Sequence, residues 1–105
     1  MEKKELLRKL SCEYRFLKMQ AAGHLNEERK KELLMCSDVY LLCLCIAEES
    51  KLPEPIGREE ALEWVEEEIA SYERAIRVWG EKEVWNENKT LLEECKKILK
   101  GEELK

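Results

Sequence analysis

Between Leu62 and Trp79 apolar residues recur at alternating steps of three and four: Leu62, Val65, Ile69, Tyr72, Ile76 and Trp79. On an α-helix that spacing gathers them on one face. A strand would scatter them, because alternate residues of a strand point to opposite sides. The spacing predicts a helix over about 58–79, with this seam as its core face and packing of the bundle or coiled-coil kind. Charges agree with its direction. Glu59, Glu60 and Glu63 stand early and Arg74 and Arg77 late, where the helix dipole favours anions and cations respectively. Gly80 is the expected stop.

The same periodicity runs through the rest of the chain. Leu7, Leu10, Tyr14, Leu17 and Ala21, widened by Leu6, predict a helix over about 2–22. Gly23 then supplies a left-handed C′ residue, with Leu25 for the accompanying hydrophobic contact. Asn26 caps a second helix from Glu27 to about Ser50. Ser37-Asp38 is a point where that helix can break, since both side chains favour caps. A link this short makes the two helices antiparallel. Thr90-Leu-Leu-Glu93 reads as a capping box for a last helix carrying Leu91, Leu92, Cys95, Ile98 and Leu99 and ended by Gly101, with residues 102–105 frayed. Where that helix begins between Glu81 and Thr90 is left open.

Only four Gly and two Pro interrupt 105 residues. Both prolines fall in Lys51-Leu-Pro-Glu-Pro-Ile-Gly57, which cannot continue a helix. The fold class expected is therefore all-α: a small bundle of four main helices in two antiparallel hairpins, about 2–50 and 58–100, joined by the loop 51–57. Residues 1–105 are read as one domain, because neither hairpin alone buries much surface.

The second helix departs from the one-sided pattern. Met35, Val39, Leu42, Cys43 and Ile46 occupy one face, and Leu33, Leu34, Leu41, Leu44 and Cys45 the other. A helix apolar all round is normally covered all round. It is either the central helix of the domain or part of a subunit interface, and the interface reading marks Leu34, Leu41, Leu44 and Cys45 as contact residues. Tryptophan adds to it. Trp79 belongs to the core seam, but Trp64 lies off it and Trp85 follows Gly80, and exposed Trp is enriched at binding hot spots. A homodimer is the simplest assembly.

Charge suggests a second surface. Residues 1–31 carry nine Lys/Arg against five Glu, which leaves ten against nineteen acids for the remainder of a chain whose net charge is −5. Lys4, Arg8, Lys9, Arg15, Lys30 and Lys31 are candidate phosphate contacts. Without a helix-turn-helix or stacking motif they imply only non-specific, salt-sensitive nucleic-acid binding, and neutralising the chain's own acidic helices is the preferred explanation of them.

Chemistry has little to work with. Glu59, Glu60, Glu63, Glu66 and Glu67 resemble the acidic helices of Mg²⁺-dependent all-α nucleotide enzymes, but no second acidic element matches them and no Glu-x-x-His accompanies them. His24 is the only histidine, and Cys43-x-Cys45 holds its sulfurs about 200° apart on a helix, so no zinc site is expected. Cys12, between Lys9 and Arg15, lacks a base within two turns of chain. No cofactor and no catalytic residue is expected.

An odd cysteine count and no apolar leader point to a cytoplasmic protein. The longest apolar run, Val39–Ala47, is too short for a membrane span of about 20 residues. Glu and Lys dominate while Gln20, Thr90 and Asp38 are the only residues of their types, a bias seen in hyperthermophile proteins. In general character the chain resembles small helical accessory subunits of archaeal ribonucleoprotein complexes and small proteins of archaeal viruses, a likeness of composition rather than of motif. The leading expectation is a non-catalytic, self-associating interaction or accessory subunit. A nucleic-acid accessory protein and a small Mg²⁺-dependent enzyme are the alternatives.

Overall fold

The computed structural model describes residues 2–102. They form four α-helices: α1 (Lys3–Ala22), α2 (Glu27–Ala47), α3 (Arg58–Trp79) and α4 (Glu83–Leu99), with no strand among the described residues. The fold is all-α, with α1 packed on α2 and α3 packed on α4. The chain divides into two compact units after Gly57, at the end of the proline loop.

In the first unit, α1 buries Leu6, Leu10 and Ala21 and half-buries Leu7, Tyr14 and Leu17, which are the residues its periodicity selects. Its end differs from the expected left-handed cap. Gly23 is right-handed, with φ −94° and ψ 0°, and Leu25 is exposed rather than in a hydrophobic cap contact. The last carbonyls are met by a tightened turn instead: Gly23 N–H donates to Met19 O at 3.3 Å and His24 N–H to Ala21 O at 3.2 Å. The next helix is then capped by Asn26, whose Oδ1 accepts from Arg29 N–H at 3.1 Å.

Helix α2 is not broken at Ser37. Serine competes with a helix by bonding its own backbone, but here the hydroxyl is engaged elsewhere: buried Ser37 donates from Oγ to the Tyr14 carbonyl of α1 at 3.0 Å. The break signal is thus spent on an interhelical bond. The helix stops at Ala47, short of Ser50, by a Schellman turn without glycine. Glu49 takes φ 55°, Glu49 N–H donates to Ile46 O at 3.1 Å, and Ser50 N–H to Cys45 O at 2.9 Å.

In the second unit, Ala61, Val65 and Ile69 are buried, and Leu62, Tyr72 and Ile76 are half-buried. Trp79 is not core: it is 75% exposed. A seven-residue repeat on a helix of 3.6 residues per turn drifts by about 20° per heptad. Val65, Tyr72 and Trp79 are successive heptad positions, and their exposure rises in that order. Gly80 follows with φ 86°, its N–H donating to Ile76 O at 2.8 Å.

Helix α4 starts at Glu83, so the Thr90 capping box is a misreading. Thr90 sits inside the helix and donates from Oγ1 to Asn86 O at 2.8 Å. Nothing in Glu83–Lys89 interrupts a helix, so the helix extends back through it. Leu91, Leu92, Cys95, Ile98 and Leu99 are all buried. Gly101, at φ 75°, closes the helix with Gly101 N–H to Ile98 O at 3.0 Å and Glu102 N–H to Lys97 O at 2.9 Å. The fraying expected over 102–105 lies, beyond Glu102, outside the described residues. Asn88 Nδ2 donates to Tyr72 Oη at 3.3 Å, tying α4 to α3.

Candidate interaction surfaces

The second face of α2 is only partly a surface. Leu33, placed on it by spacing, is buried; Leu34 is 39% exposed; Leu41, Leu44 and Cys45 are half-buried. At about 100° per residue, Leu34, Leu41 and Cys45 fall within about 40° of one another, whereas Leu44 points well to one side. Asp38 lies in the same sector. Burial pushes the Asp38 carboxyl above the usual carboxylate range, and the Lys18 ammonium pulls against that. This strip is narrow, half covered and interrupted by an acid.

The second hairpin carries the more exposed apolar group. Val78 and Trp79, at the end of α3, are 70% and 75% exposed, and Val84 in the first turn of α4 is 63% exposed. The left-handed Gly80 reverses the chain between them. Trp85 is half-buried, with the Lys82 ammonium 4.6 Å from its ring centroid, a favourable cation–π arrangement. Trp64 is half-buried as well. Of the tryptophans, then, the one assigned to the core is the one most available for contact.

A further apolar row on α1 escaped the periodicity argument. Cys12, Phe16 and Met19 are all exposed and recur at steps of four and three. The signal was in the sequence, but the stronger core stripe of the same helix masked it. Beside them stand Lys4, Arg8 and Arg15, all exposed, whereas Lys9 is half-buried and paired with Glu5 at 3.4 Å. Lys30 is half-buried and Lys31 exposed; both lie in the first turns of α2, at the end of the hairpin opposite Lys4. The six candidate phosphate contacts therefore do not form one surface.

The acidic positions Glu59, Glu60, Glu63, Glu66 and Glu67 are exposed. Among the described residues no group of three or more His, Cys, Asp or Glu is placed to hold a metal ion. His24 is exposed and accepts at Nδ1 from the Asn26 N–H at 3.3 Å, a turn contact. An open hollow of about 340 Å³ on the second hairpin is lined by Ile69, Glu73, Glu93, Glu102, Lys96, Lys97 and Lys100. Its three carboxylates match its three ammonium groups, and Lys89 reaches both Glu73 at 3.9 Å and Glu93 at 3.8 Å. The lining residues by themselves carry no net formal charge, and Lys89 stands beside two of the carboxylates. No helix among the described residues is long and apolar enough to cross a membrane. No family model, curated protein or solved structure matches the chain.

Proposed function

We propose that this protein is a non-catalytic helical interaction subunit that self-associates through the turn end of its second hairpin. The observation that carries the reading is the exposure of Trp79, flanked by Val78 and Val84. A tryptophan is a rigid, largely apolar side chain, and such residues dominate binding energy where they are exposed before binding and buried after it. Isolated exposed apolar residues need no explanation, but three at positions 78, 79 and 84, on either side of one turn, do. A twofold axis would place this patch against its own copy, which closes the assembly at a dimer. The half-covered strip of Leu34, Leu41 and Cys45 is a weaker contact surface on this reading, and Leu44 no part of it.

Sedimentation velocity across the micromolar range tests the proposal. The wild-type chain is expected to shift from monomer to dimer with concentration, and Trp79→Glu to stay monomeric with an unchanged helical circular dichroism spectrum. A wild-type chain that is monomeric throughout, or a Trp79→Glu chain that dimerises as well as the wild type, overturns it.

A further inference from the structure

The outer side of α1 has its own design, independent of the Trp79 patch. Taking about 100° per residue, Lys4, Arg8 and Arg15 fall within about 40° of one another. Met19, Cys12 and Phe16 follow next to them, about 20–80° round from Arg8. The result is two parallel rows along one exposed helix face, one cationic and one apolar. Both rows lie away from the core stripe of Leu6, Leu10 and Ala21. Phe16 and Met19 are 57% and 74% exposed. The one carboxylate in this sector, Glu5, lies toward the N-terminal end and is neutralised by Lys9 at 3.4 Å.

We infer that this face docks an acidic amphipathic helix from a protein partner, with the partner's apolar residues on Cys12, Phe16 and Met19 and its carboxylates along Lys4, Arg8 and Arg15. Charge complementarity and the pairing of two rows select this occupant. A helix laid against a helix presents an apolar stripe edged by charge, which is the complement of what α1 displays. The face extends over about 22 Å from Lys4 to Met19 at about 1.5 Å per residue, so it fits a segment of about four turns. A nucleic acid would use the cationic row and stack on Phe16, but it would leave Cys12 and Met19 without a matching group. The three cations of this row by themselves also give a polyanion few phosphate contacts.

The test uses the full chain and a fluorescein-labelled synthetic helix of about four turns with Leu along one stripe and Glu beside it. The controls are the same helix with every Glu replaced by Lys, and an oligothymidylate. Anisotropy is expected to show binding of the acidic helix, at least about tenfold weaker binding of the basic one, and a loss of about tenfold or more with Phe16→Ser or Met19→Ser. Reversal in Arg8→Glu/Arg15→Glu is expected to exchange the preference, so that the basic helix binds better than the acidic one. That exchange is a gain that unfolding cannot produce. Absence of binding to the acidic helix, equal binding of both helices, or indifference to the Phe16 and Arg8/Arg15 changes overturns the inference. So does tighter binding of oligothymidylate than of the acidic helix, which would make the face a polyanion surface. Trp79→Glu is expected to bind the acidic helix unchanged, so failure of the dimer reading and failure of this one are told apart.

Discussion

The two hairpins answer the same demand in different ways. In the second, α3 and α4 each bury one stripe, and their contacts include the periodic residues, the Asn88–Tyr72 bond and the Lys89–Glu73 ion pair. In the first, α2 buries residues over much of its circumference, among them Leu33, Ser37, Val39, Leu42 and Cys43, and ties itself to α1 through a buried hydroxyl. The turns differ as well. Gly80 reverses the second hairpin from the left-handed region, whereas the first uses a right-handed Gly23 and an asparagine cap. A one-sided stripe makes burial predictable along a helix only as far as the stripe stays in phase. A helix apolar all round leaves burial to be settled by packing.

The largest effect that sharpens this contrast comes from the core. Leu42→Ala in α2 and Ile69→Ala in α3 remove buried side chains, and each is expected to cost about 2–5 kcal/mol in urea denaturation. Trp79→Ala, on the same sequence seam as Ile69, is expected to cost less than about 0.5 kcal/mol when measured too dilute for self-association. A Trp79 cost comparable to that of Ile69 would mean that the seam stays in phase to its end.

A smaller effect concerns how helices end. Gly80 and Glu49 both occupy the left-handed region, which costs a residue with a Cβ about 1–2 kcal/mol. Gly80→Ala meets no atom within 4 Å, so the backbone alone should lower stability, by about 1 kcal/mol. Glu49→Gly should raise it by about 0.5–1 kcal/mol, the relieved strain being offset in part by the greater freedom of glycine in the unfolded chain. Thermal melts of the two variants are expected to move in opposite directions. Movement in the same direction would break the equivalence of the two turns.

The smallest effect is electrostatic and belongs to the first hairpin. Burial raises the Glu13 carboxyl above its ordinary range, so the folded chain holds that proton more tightly than the unfolded one. The resulting contribution to stability is fully present below the ordinary carboxylate pKa and is lost as pH rises through the raised folded value. Glu13→Gln is therefore expected to gain on the wild type in Tm as pH is taken from acid to neutral. A Tm difference that does not change with pH would remove burial as the cause. Asp38 follows the same direction, opposed by Lys18.

Periodicity, Gly and Pro placement and the Asn26 cap were enough to read four helices and both hairpins, because each of these signals acts over one or two turns of local chain. The Leu91–Leu99 stripe of α4 and the core of α1 were legible for the same reason. Thr90-Leu-Leu-Glu93 misled because a capping box describes a helix start only where the preceding residues are not helical, and here they are. Ser37 misled because the partner of its hydroxyl is on another helix, which no local pattern contains.

The interaction surfaces divide along the same line. Sequence alone determined which residues are apolar, which are charged, and at what angular spacing they stand, and so it already held the Cys12–Phe16–Met19 row and the basic residues beside it. Only the tertiary structure decided which of these rows is covered. It buried Leu33 and exposed Trp79, and separated Lys30 and Lys31 from Lys4, whereas the Glu5–Lys9 pair is a contact four residues apart within α1. The physical reason is that spacing is a property of one helix, whereas burial depends on what lies against it, and a pair of helices in contact covers only the arc that stays in phase with its neighbour.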